Sequence, residues 1–588
     1  MRAMDAIDPP DIRELLRKTQ VFAHLDDAQL AALEAELVWF SLPGGQTLFE
    51  ADQPPQGLYV VRTGSLGVFH PPVEGGPPRL AAVRSPGQTL GELALITDQP
   101  PGVSLRALRD SELLWLSREG FDRLVRRHPE AMLGAARIAV QQAAIRATER
   151  VASTPRTFVV LAFDGQVDAR GVVAQLRHAL LPYGDCLVID AALGHGRSSE
   201  WYAEREAESH FVLYLADGPA EWRRLCIRQA DAFLLLVNAG RRAEPWPEAG
   251  PFDPRRPRFR ARHLLLLHPD GRILPGAARR WLEQLPAARH HHVRGPADIA
   301  RVARLISGRS TGLVLSGGGA RGFAHIGVVR ALREAGIAID AVGGTSIGAI
   351  IGAGVACGWD DAAMLANYRR AFVEGKPLRD WTLPFIALTR GRRTSLLLRE
   401  AFGAHDIEDL PIPFFCLSAD LTGGHAVIHR DGPLWLWLRA SSAIPGVLPP
   451  VLHRGHVYVD GAVINNLPVD VLREDGLGEI IAVDIGADDV LRADVEEWES
   501  PPWWRLAMQR WRHRDAPRRP GLISLLLRAG MVNAEAAGAG RRAAADLLLH
   551  PSLGNVQLLD WRGYERIVEA GYAYARDALP KAGIVFSG

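Results

Sequence analysis

One run of nineteen residues, 341–359 (AVGGTSIGAIIGAGVACGW), carries no charged side chain and constrains the fold of this chain more than any other segment. A helix of that length is long enough to cross a bilayer. The run also contains six glycines and few large side chains, and glycine permits tight turns and close backbone contacts. We therefore predict that this run forms the end of a strand, a tight turn and a buried helix, rather than a membrane span.

Length and charge limit the classes of protein that this chain can represent. Its 588 residues are enough for three or four domains. The 68 basic residues nearly balance the 67 acidic ones. We expect no nucleic-acid partner, because such a partner requires a net basic face. The first twenty residues lack the apolar core of a signal peptide, so we expect a cytoplasmic protein that is not secreted.

The four cysteines predict neither a disulfide framework nor a structural zinc site. They lie far apart in the sequence and lack the C-x-x-C spacing of metal-binding pairs. Free thiols of this kind are typical of a reducing compartment. The cysteines are Cys186, Cys226, Cys357 and Cys416.

Changes in sequence pattern divide the chain into four predicted regions. Residues 20–140 contain short strand-like runs separated by glycines, which predict a small antiparallel β-roll with helices. Residues 156–308 alternate continuous apolar runs with helical stretches, the pattern of a mostly parallel α/β sheet. Residues 311–490 predict a second α/β region, and residues 491–588 a helical extension of it. The expected fold class is multidomain: an N-terminal β-roll, a middle α/β region and a C-terminal α/β/α domain.

Three consecutive histidines, His290, His291 and His292, raise the question of a metal site. Successive side chains on a strand point to opposite faces, so three in a row do not converge on one ion. We predict no metal there.

The first motif with chemical content is a glycine-rich turn at 317–322 (GGGARG), between a predicted strand and a predicted helix. Glycines let backbone N–H groups converge on one point, and the N-terminus of the helix adds partial positive charge, so the turn suits an anion. The same pattern matches a dinucleotide-binding fingerprint, with Asp340 at the distance of a ribose ligand. A third interpretation is a tight turn without a ligand.

The second motif matches G-x-S-x-G, with Ser346 between Gly344 and Gly348. A serine at a sharp strand-to-helix turn is exposed to substrate, and its small neighbours let the turn and the substrate approach closely. The pattern therefore indicates a nucleophilic serine. The third motif, Asp460-Gly461-Ala462, follows another predicted strand, and taken alone it is typical of an ordinary Asp-Gly turn.

The order and spacing of the three motifs resemble the patatin-like phospholipases. Ser346 follows Gly319 by 27 residues, and Asp460 follows Ser346 by 114. The resemblance implies a serine esterase acting on phospholipids or lysophospholipids, with Ser346 as nucleophile and Asp460 as proton acceptor. It also implies an oxyanion hole, the set of donors that stabilises the developing negative oxygen, and no metal or redox cofactor. The implied oxyanion residues are Gly317, Gly318, Gly319 and Arg321, with Gly322 completing the glycine motif.

A larger part of the chain, from about Gln20 to its last predicted helix, is similar to bacterial relatives of neuropathy target esterase. In that arrangement a domain similar to cyclic-nucleotide-binding domains precedes the patatin-like domain. The expected nucleotide cassette comprises Gly91, Glu92, Leu93, Ala94 and Ser104. Pro101 stands where the family has a phosphate-binding arginine. Because the arginine makes the strongest polar contact of such a site, a cyclic nucleotide is expected only as a weak regulator, if it binds at all.

Three alternative interpretations remain open at this point. A Ser-His-Asp hydrolase needs a histidine after Asp460, and His513 and His550 follow it. A nucleotide-responsive regulatory or scaffold protein with an inert hydrolase domain is the second alternative. An oxidoreductase would explain the GGGARG turn but neither of the other two motifs.

Contact with a membrane is expected near the C-terminus. Trp503, Trp504 and Trp511 lie among several arginines, and this combination favours the headgroup region of an anionic bilayer. The segment predicts peripheral attachment at the inner face of a bacterial membrane, although the same tryptophans also suit packing on the catalytic domain.

Overall fold

A computed structural model describes most of the chain as two compact units. The described residues are 12–129, 132–133, 136–137, 155–245, 260–486, 499, 501–502, 534, 537–554, 556 and 561–584, without residues 20, 24, 54–55, 72–78, 98, 164, 286, 288 and 384. The first unit comprises residues 1–272 and 280–308, and the second comprises residues 273–279 and 309–588. The glycine-rich turn 317–322, Ser346 and Asp460 all lie in the second unit.

Two four-stranded antiparallel sheets form the β-roll that the sequence predicts. The glycine-punctuated runs are short because each strand ends at a turn, and their apolar side chains contribute to several buried clusters. One sheet has the strand order Val38–Leu42, Ser111–Ser117, Gly57–Thr63, Thr89–Leu90, and the other Thr47–Phe49, Ser104–Ala107, Leu66–His70, Arg79–Arg84. The helices are Ile12–Lys18, Asp27–Glu34, Glu92–Thr97 and Arg118–Arg127.

A six-stranded, fully parallel sheet follows, as the continuous apolar runs predict. Its central strands are buried along almost their whole length, which is typical of a sheet covered on both faces. The strand order is Cys186–Ile189, Phe211–Leu215, Thr157–Ala162, Ala232–Asn238, Ala261–Leu267, Arg289–Val293. The helices are Ala169–Leu180, Ala191–Gly194, Ser199–Glu208, Ala220–Gln229, Ala277–Gln284 and Pro296–Ile306.

The three consecutive histidines lie on the strand Arg289–Val293 of this sheet. His291 Nε2 is 3.1 Å from His263 Nδ1, and His292 Nδ1 is 2.8 Å from His268 Nε2. These histidines thus make separate pairs along the sheet, as the alternation of side chains on a strand requires.

An eight-stranded mixed sheet forms the core of the second unit. Its strand order is Val451–His453, His456–Asp460, Phe414–Asp420, Ala341–Thr345, Thr311–Leu315, Glu479–Val483, Leu547–Leu549, with His425–His429 paired to Phe414–Asp420. The helices are Ala324–Glu334, Ile347–Ala356, Asp361–Tyr368, Arg392–Phe402, Leu434–Ser441, Val469–Glu474, Gly538–Ala543 and Tyr564–Lys581. This arrangement of β-roll, middle sheet and second α/β sheet confirms the predicted fold class.

The uncharged run 341–359 contains a strand, a turn and a helix. The strand Ala341–Thr345 and the helix Ile347–Ala356 are buried throughout. Among the described residues, no helix combines the length and the apolar character needed to cross a membrane. The interpretation of residues 341–359 as buried structure is therefore confirmed.

The segment after residue 536 contributes more than the helices that the sequence predicts. The strand Leu547–Leu549 pairs in parallel with Glu479–Val483 and extends the sheet. The helix Tyr564–Lys581 packs on Ala324–Glu334 so closely that a Cβ atom on Gly327 would lie 2.0 Å from the carbonyl oxygen of Val568. Glycine is required at this crossing because the two backbones touch. The core of the second unit thus includes residues far beyond 490.

Candidate active site

Ser346 occupies a sharp turn between a strand and a helix. The strand ends at Thr345, the helix begins at Ile347, and Ser346 between them has φ 57° and ψ −125°. A side chain other than glycine rarely adopts a positive φ, and such strain is typical of functional sites. The serine that the G-x-S-x-G pattern singles out is thus held at a strained turn, as the motif predicts.

The two flanking glycines allow this turn because no side chain fits at either position. A Cβ atom on Gly348 would lie 2.2 Å from the carbonyl oxygen of Leu315, and one on Gly344 would lie 2.7 Å from the carbonyl carbon of Gly348. Both distances are far below van der Waals contact. The motif spacing therefore reflects the close approach of the helix Ile347–Ala356 to the strand Thr311–Leu315.

Asp460 lies beside Ser346 although 114 residues separate them in the chain. Its strand pairs with Phe414–Asp420 so that Asp460 lies opposite Ser418, and Thr345 lies opposite Leu417 from the other side. Ser346 Oγ donates a hydrogen bond of 2.6 Å to Asp460 Oδ2. The other carboxylate oxygen accepts the N–H of Ala462 at 2.9 Å. The strand order of the sheet thus brings two of the predicted site residues into contact.

The environment of Asp460 makes its carboxylate a better base than an ordinary aspartate. The residue is 4% exposed, and burial raises its pKa to about 6, although the hydrogen bonds from Ser346 and Ala462 act in the opposite direction. Burial disfavours the charged form, so the carboxylate binds a proton more readily. A pKa near the working pH suits a group that takes up and returns a proton.

The glycine-rich turn lies against the serine. A Cβ atom on Gly317 would lie 3.1 Å from Ser346 Cβ. The turn leads into the short 3-10 helix Gly319–Phe323, and Gly319 has φ 58°. Among the described residues, no acceptor is assigned to the N–H groups of Gly318 and Gly319. Two backbone donors beside Ser346 are therefore available to an anion.

Gly317 and Arg321 have protein partners in this arrangement. The N–H of Gly317 donates to the side-chain oxygen of Asn466 at 3.1 Å and to its carbonyl oxygen at 3.3 Å. Arg321 Nε donates to the carbonyl oxygen of Val556 at 2.9 Å. These contacts distinguish the two residues from Gly318 and Gly319, whose donors face no such acceptor.

Two residues at this site escaped the sequence analysis. The side chain of Asn466 binds both backbone groups of Gly317. It accepts the N–H, and its Nδ2 donates to the carbonyl oxygen at 3.3 Å. Ser441 Oγ accepts the N–H of Ser346 at 2.9 Å. The only available signal for Asn466 was its position six residues after Asp460 in DGAVINN. Ser441 carries no recognisable pattern.

An apolar cavity opens beside Ser346. Both Ser346 and Gly319 contribute to its wall, and most of the remaining lining is aliphatic or aromatic. Such a cavity suits a long hydrocarbon chain whose polar end lies at the serine. The apolar lining includes Ile347, Ile350, Phe372, Leu378, Leu397, Phe402, Ile444, Leu448 and Trp561.

The alternative interpretations find less support in the geometry. Asp340 is fully buried and its carboxylate accepts the N–H of Thr311, so it is not placed to meet a ribose. His513 lies outside the described residues, and the hydrogen bonds of Ser346 and Asp460 include none to His550. His325 is buried against the carbonyl oxygen of Ser316 at 2.9 Å. Among the described side chains, the hydrogen-bond partner of Ser346 Oγ is Asp460.

The expected nucleotide cassette differs from the catalytic site in its polar partners. Gly91 has φ 94°, and the short helix Glu92–Thr97, which includes Leu93 and Ala94, begins directly after it. Glu92 is 1% exposed. Ser104 Oγ donates to a carboxylate oxygen of Glu50 at 2.8 Å, and Pro101 stands in the place of the arginine. A carboxylate rather than a guanidinium therefore adjoins Ser104.

The tryptophans at 503, 504 and 511, for which membrane contact is expected, lie outside the described residues.

Comparisons with known proteins match three family models along the chain. Residues 39–128 match the cyclic nucleotide-binding domain, residues 182–312 the neuropathy target esterase family P-loop like domain, and residues 313–473 the patatin-like phospholipase domain. An uncharacterised NTE family protein of Mycobacterium tuberculosis is 32% identical over 97% of this chain and 96% of its own length.

Longer eukaryotic proteins are also similar to this chain. Lysophospholipase NTE1 of Cryptococcus neoformans is 30% identical over 80% of this chain and 34% of its own length. Neuropathy target esterase sws of Drosophila melanogaster is 28% identical over 93% of this chain and 43% of its own length. The chain therefore spans less than half of these two relatives.

Proposed function

Because the chain belongs to the neuropathy target esterase (NTE) family, we propose that it hydrolyses the acyl ester of lysophospholipids with Ser346 as nucleophile and Asp460 as base. The predicted resemblance is confirmed, and the protein is a patatin-like carboxylic ester hydrolase. One observation carries the assignment of residues: Ser346 Oγ donates to Asp460 Oδ2 at 2.6 Å beside an apolar cavity.

The reaction begins with the transfer of one proton. As Ser346 Oγ bonds to the ester carbonyl carbon, its proton moves to Asp460 Oδ2, and a pair of electrons moves onto the carbonyl oxygen. When the tetrahedral intermediate collapses, the bond to the glycerol oxygen breaks, and Asp460 returns the proton to this leaving group. The acyl group is then esterified to Ser346.

A water molecule completes the cycle by the same route. It attacks the acyl carbon and gives its proton to Asp460, and the collapse of the second intermediate releases the fatty acid. Asp460 then returns the proton to Ser346 Oγ. Since the base is regenerated in each half, the two residues suffice for both steps.

The N–H groups of Gly318 and Gly319 are the proposed oxyanion donors. They follow the strand Thr311–Leu315 and lead into the 3-10 helix Gly319–Phe323 beside Ser346. Each preorganised donor of this kind contributes about 3–4 kcal/mol to stabilisation of the transition state. Gly317 supports the turn through Asn466, and Arg321 anchors its far end through Val556.

We do not expect cyclic-nucleotide binding to be the main role of the N-terminal region. Residues 39–128 match the cyclic nucleotide-binding domain, but Ser104 donates to Glu50, and Pro101 stands where the family has its phosphate-binding arginine. We expect the domain to act mainly through its packing. The proposed place of action remains the cytoplasmic face of a membrane.

Hydrolysis of a panel of lysophospholipids by the wild-type protein and by Ser346→Ala tests the proposal. We expect release of fatty acid by the wild type and a loss of at least about 10⁴-fold in the variant. Ser307→Ala is a matched control, since Ser307 lies in the first unit and its Oγ donates to the carbonyl oxygen of Arg304. A fluorophosphonate probe is expected to label Ser346. Equal activity of Ser346→Ala and wild type would exclude Ser346 as the nucleophile.

A further inference from the structure

Four large apolar side chains are exposed together on one loop of the second unit. Trp381 is 63% exposed, Leu383 72%, Phe385 90% and Ile386 74%. We call these four residues the apolar tip. Single exposed apolar residues are common on protein surfaces, whereas a group of them on one loop indicates an interaction surface.

The loop that carries the apolar tip has a buried, hydrogen-bonded base. The N–H of Thr382 donates to the carbonyl oxygen of Leu388 at 3.0 Å, and the N–H of Arg390 donates to that of Asp380 at 3.0 Å. Ala387 and Thr389, at the base, are buried. The loop is therefore a short hairpin that holds its apolar side chains outward.

The hairpin is continuous with the wall of the cavity. The N–H of Leu388 donates to the carbonyl oxygen of Gly446 at 2.9 Å, and the neighbours Ile444 and Leu448 line the cavity. On the other side of the hairpin, Pro377 and Leu378 also line it. Both strands of chain that connect to the tip thus pass along the space beside Ser346.

Positive charge surrounds the apolar tip. Residues 376–396 contain five basic side chains and one acidic side chain, Asp380. The carboxylate of Asp380 accepts the N–H of Arg393 at 3.0 Å. The basic residues, all exposed, are Lys376, Arg379, Arg390, Arg392 and Arg393. This combination of aromatic and aliphatic side chains with a basic border complements an anionic lipid surface, because the rings enter the headgroup region while the cations meet lipid phosphates.

We propose that the apolar tip inserts into the surface of an anionic bilayer and directs the cavity beside Ser346 toward the lipid. The direction of the cavity rests on the proposed function, whereas the binding of the tip to lipid does not. The proposed attachment surface is therefore the apolar tip together with the five exposed basic residues that border it.

Co-sedimentation with vesicles tests the proposal in the Ser346→Ala protein, which leaves the vesicle lipids intact. The vesicles contain phosphatidylcholine with or without phosphatidylglycerol. We expect Phe385→Ser/Ile386→Ser to lower the partition coefficient on mixed vesicles at least about tenfold. Trp39→Ala is the matched control, because Trp39 is 53% exposed on the β-roll. Sedimentation of the double variant equal to that of its parent would refute insertion of the tip.

A variant that removes positive charge tests the role of the basic residues around the apolar tip. Arg379→Gln/Arg392→Gln removes two exposed cations, and we expect it to weaken binding to the phosphatidylglycerol vesicles about tenfold while leaving the weaker binding to pure phosphatidylcholine unchanged. The difference should disappear at high salt, which screens such attraction. An equal loss on both vesicle types contradicts electrostatic recognition.

Further measurements distinguish membrane attachment by the apolar tip from the proposed hydrolysis and from dimerisation. In the active protein, the tip variant should hydrolyse dissolved p-nitrophenyl butyrate like the wild type and lose activity on lipid held in vesicles. If the wild type binds vesicles but cleaves no ester, the proposed function fails and the attachment stands. If light scattering shows a dimer that Phe385→Ser/Ile386→Ser dissociates, the tip is a contact between copies of this chain, and the membrane proposal is wrong.

Discussion

The turn at Ser346 and the expected nucleotide cassette at Gly91 both lead directly into a helix, yet their polar residues have different partners. At the catalytic turn, Ser346 meets a carboxylate of matching chemistry at 2.6 Å. At the cassette, Ser104 donates to the carboxylate of Glu50 at 2.8 Å, and Pro101 replaces a cation. The first arrangement supplies a base for a hydroxyl, whereas the second places negative charge where a phosphate would need positive charge.

This difference shows what a local motif does and does not specify. Glycines and a helix start determine the backbone shape of a site. The charge that meets the ligand comes from a residue elsewhere in the chain, such as Asp460 for the serine and Glu50 for the cassette. A retained shape therefore indicates a function only when its distant partner has the required charge.

The largest effect that tests the comparison is the loss of the catalytic base. We expect Asp460→Asn to lower kcat by at least about 10³-fold, because the amide accepts no proton from Ser346 Oγ as it attacks. Steady-state kinetics on a lysophospholipid measures the loss. Asp475→Asn is the matched control, since Asp475 pairs with Arg430 near the surface. Turnover of Asp460→Asn within a few-fold of wild type would show that the pair is not the catalytic dyad.

The support of the oxyanion turn should have a smaller effect. Asn466→Ala removes the acceptor for the N–H of Gly317 and the donor to its carbonyl oxygen. We expect kcat to fall about 10- to 100-fold through misplacement of the neighbouring donors, with little change in KM. Asn466→Asp keeps the acceptor and should recover part of the loss, and Asn238→Ala is a control in the other unit. A fall in melting temperature without a change in kcat contradicts this positioning role.

The pH dependence of activity follows from the burial of Asp460. Its pKa is about 6, and only the ionised form accepts the proton of Ser346. We therefore expect kcat/KM to be constant above pH 7 and to fall about tenfold per pH unit well below pH 6. A profile with its acidic limb near pH 4 would indicate that the carboxylate is not desolvated in solution.

Ionisation of the Asp460 carboxylate, which should raise activity, should lower the stability of the folded protein. An unfolded aspartate titrates near about pH 3.9, so the folded value of about 6 is raised. Its contribution to the free energy of unfolding is fully present below the unfolded pKa and is lost as the pH rises through the folded pKa. We expect the melting temperature of Asp460→Asn to rise relative to that of the wild type as the pH increases from about 4 to about 7. Parallel melting curves across that range would contradict the raised pKa.

The smallest effect concerns the cassette. Calorimetry with cyclic AMP or cyclic GMP should detect no binding to the wild type at concentrations up to about 1 mM, since no cation pairs with the phosphate there. Glu50→Gln/Pro101→Arg should bind more tightly than the matched variant Glu50→Gln/Pro101→Gln. A micromolar dissociation constant for the wild type would overturn the distinction between the two sites.

Local patterns predicted much of this molecule because neighbouring residues determine them. The six glycines in 341–359 indicated a buried turn and helix, and the structure has them. The alternation of strands and helices gave the fold class for the same reason. The pairing of Gly317 with Asn466, 149 residues apart, depends on the order of strands in the sheet. No periodicity in the sequence contains that order.

Other features were not predicted because they depend on the tertiary contacts of a residue rather than on its type. The strand Leu547–Leu549 is three residues long, too short to show a pattern, and it exists because Glu479–Val483 offers it an edge. Trp381 and Phe385 look like ordinary core residues in the sequence. Their exposure becomes apparent only when the hairpin is placed on the surface of the domain.

The crossing of two helices at Gly327 has a consequence for the timing of synthesis. The helix Tyr564–Lys581 contacts the backbone of Ala324–Glu334 there, and the catalytic sheet receives its strand Leu547–Leu549 just before it. Ser346 and Asp460 leave the ribosome well before these elements. Since domains fold as units during translation, the nascent chain carries Ser346 and Asp460 in an incomplete core until the helix Tyr564–Lys581 has left the ribosomal tunnel.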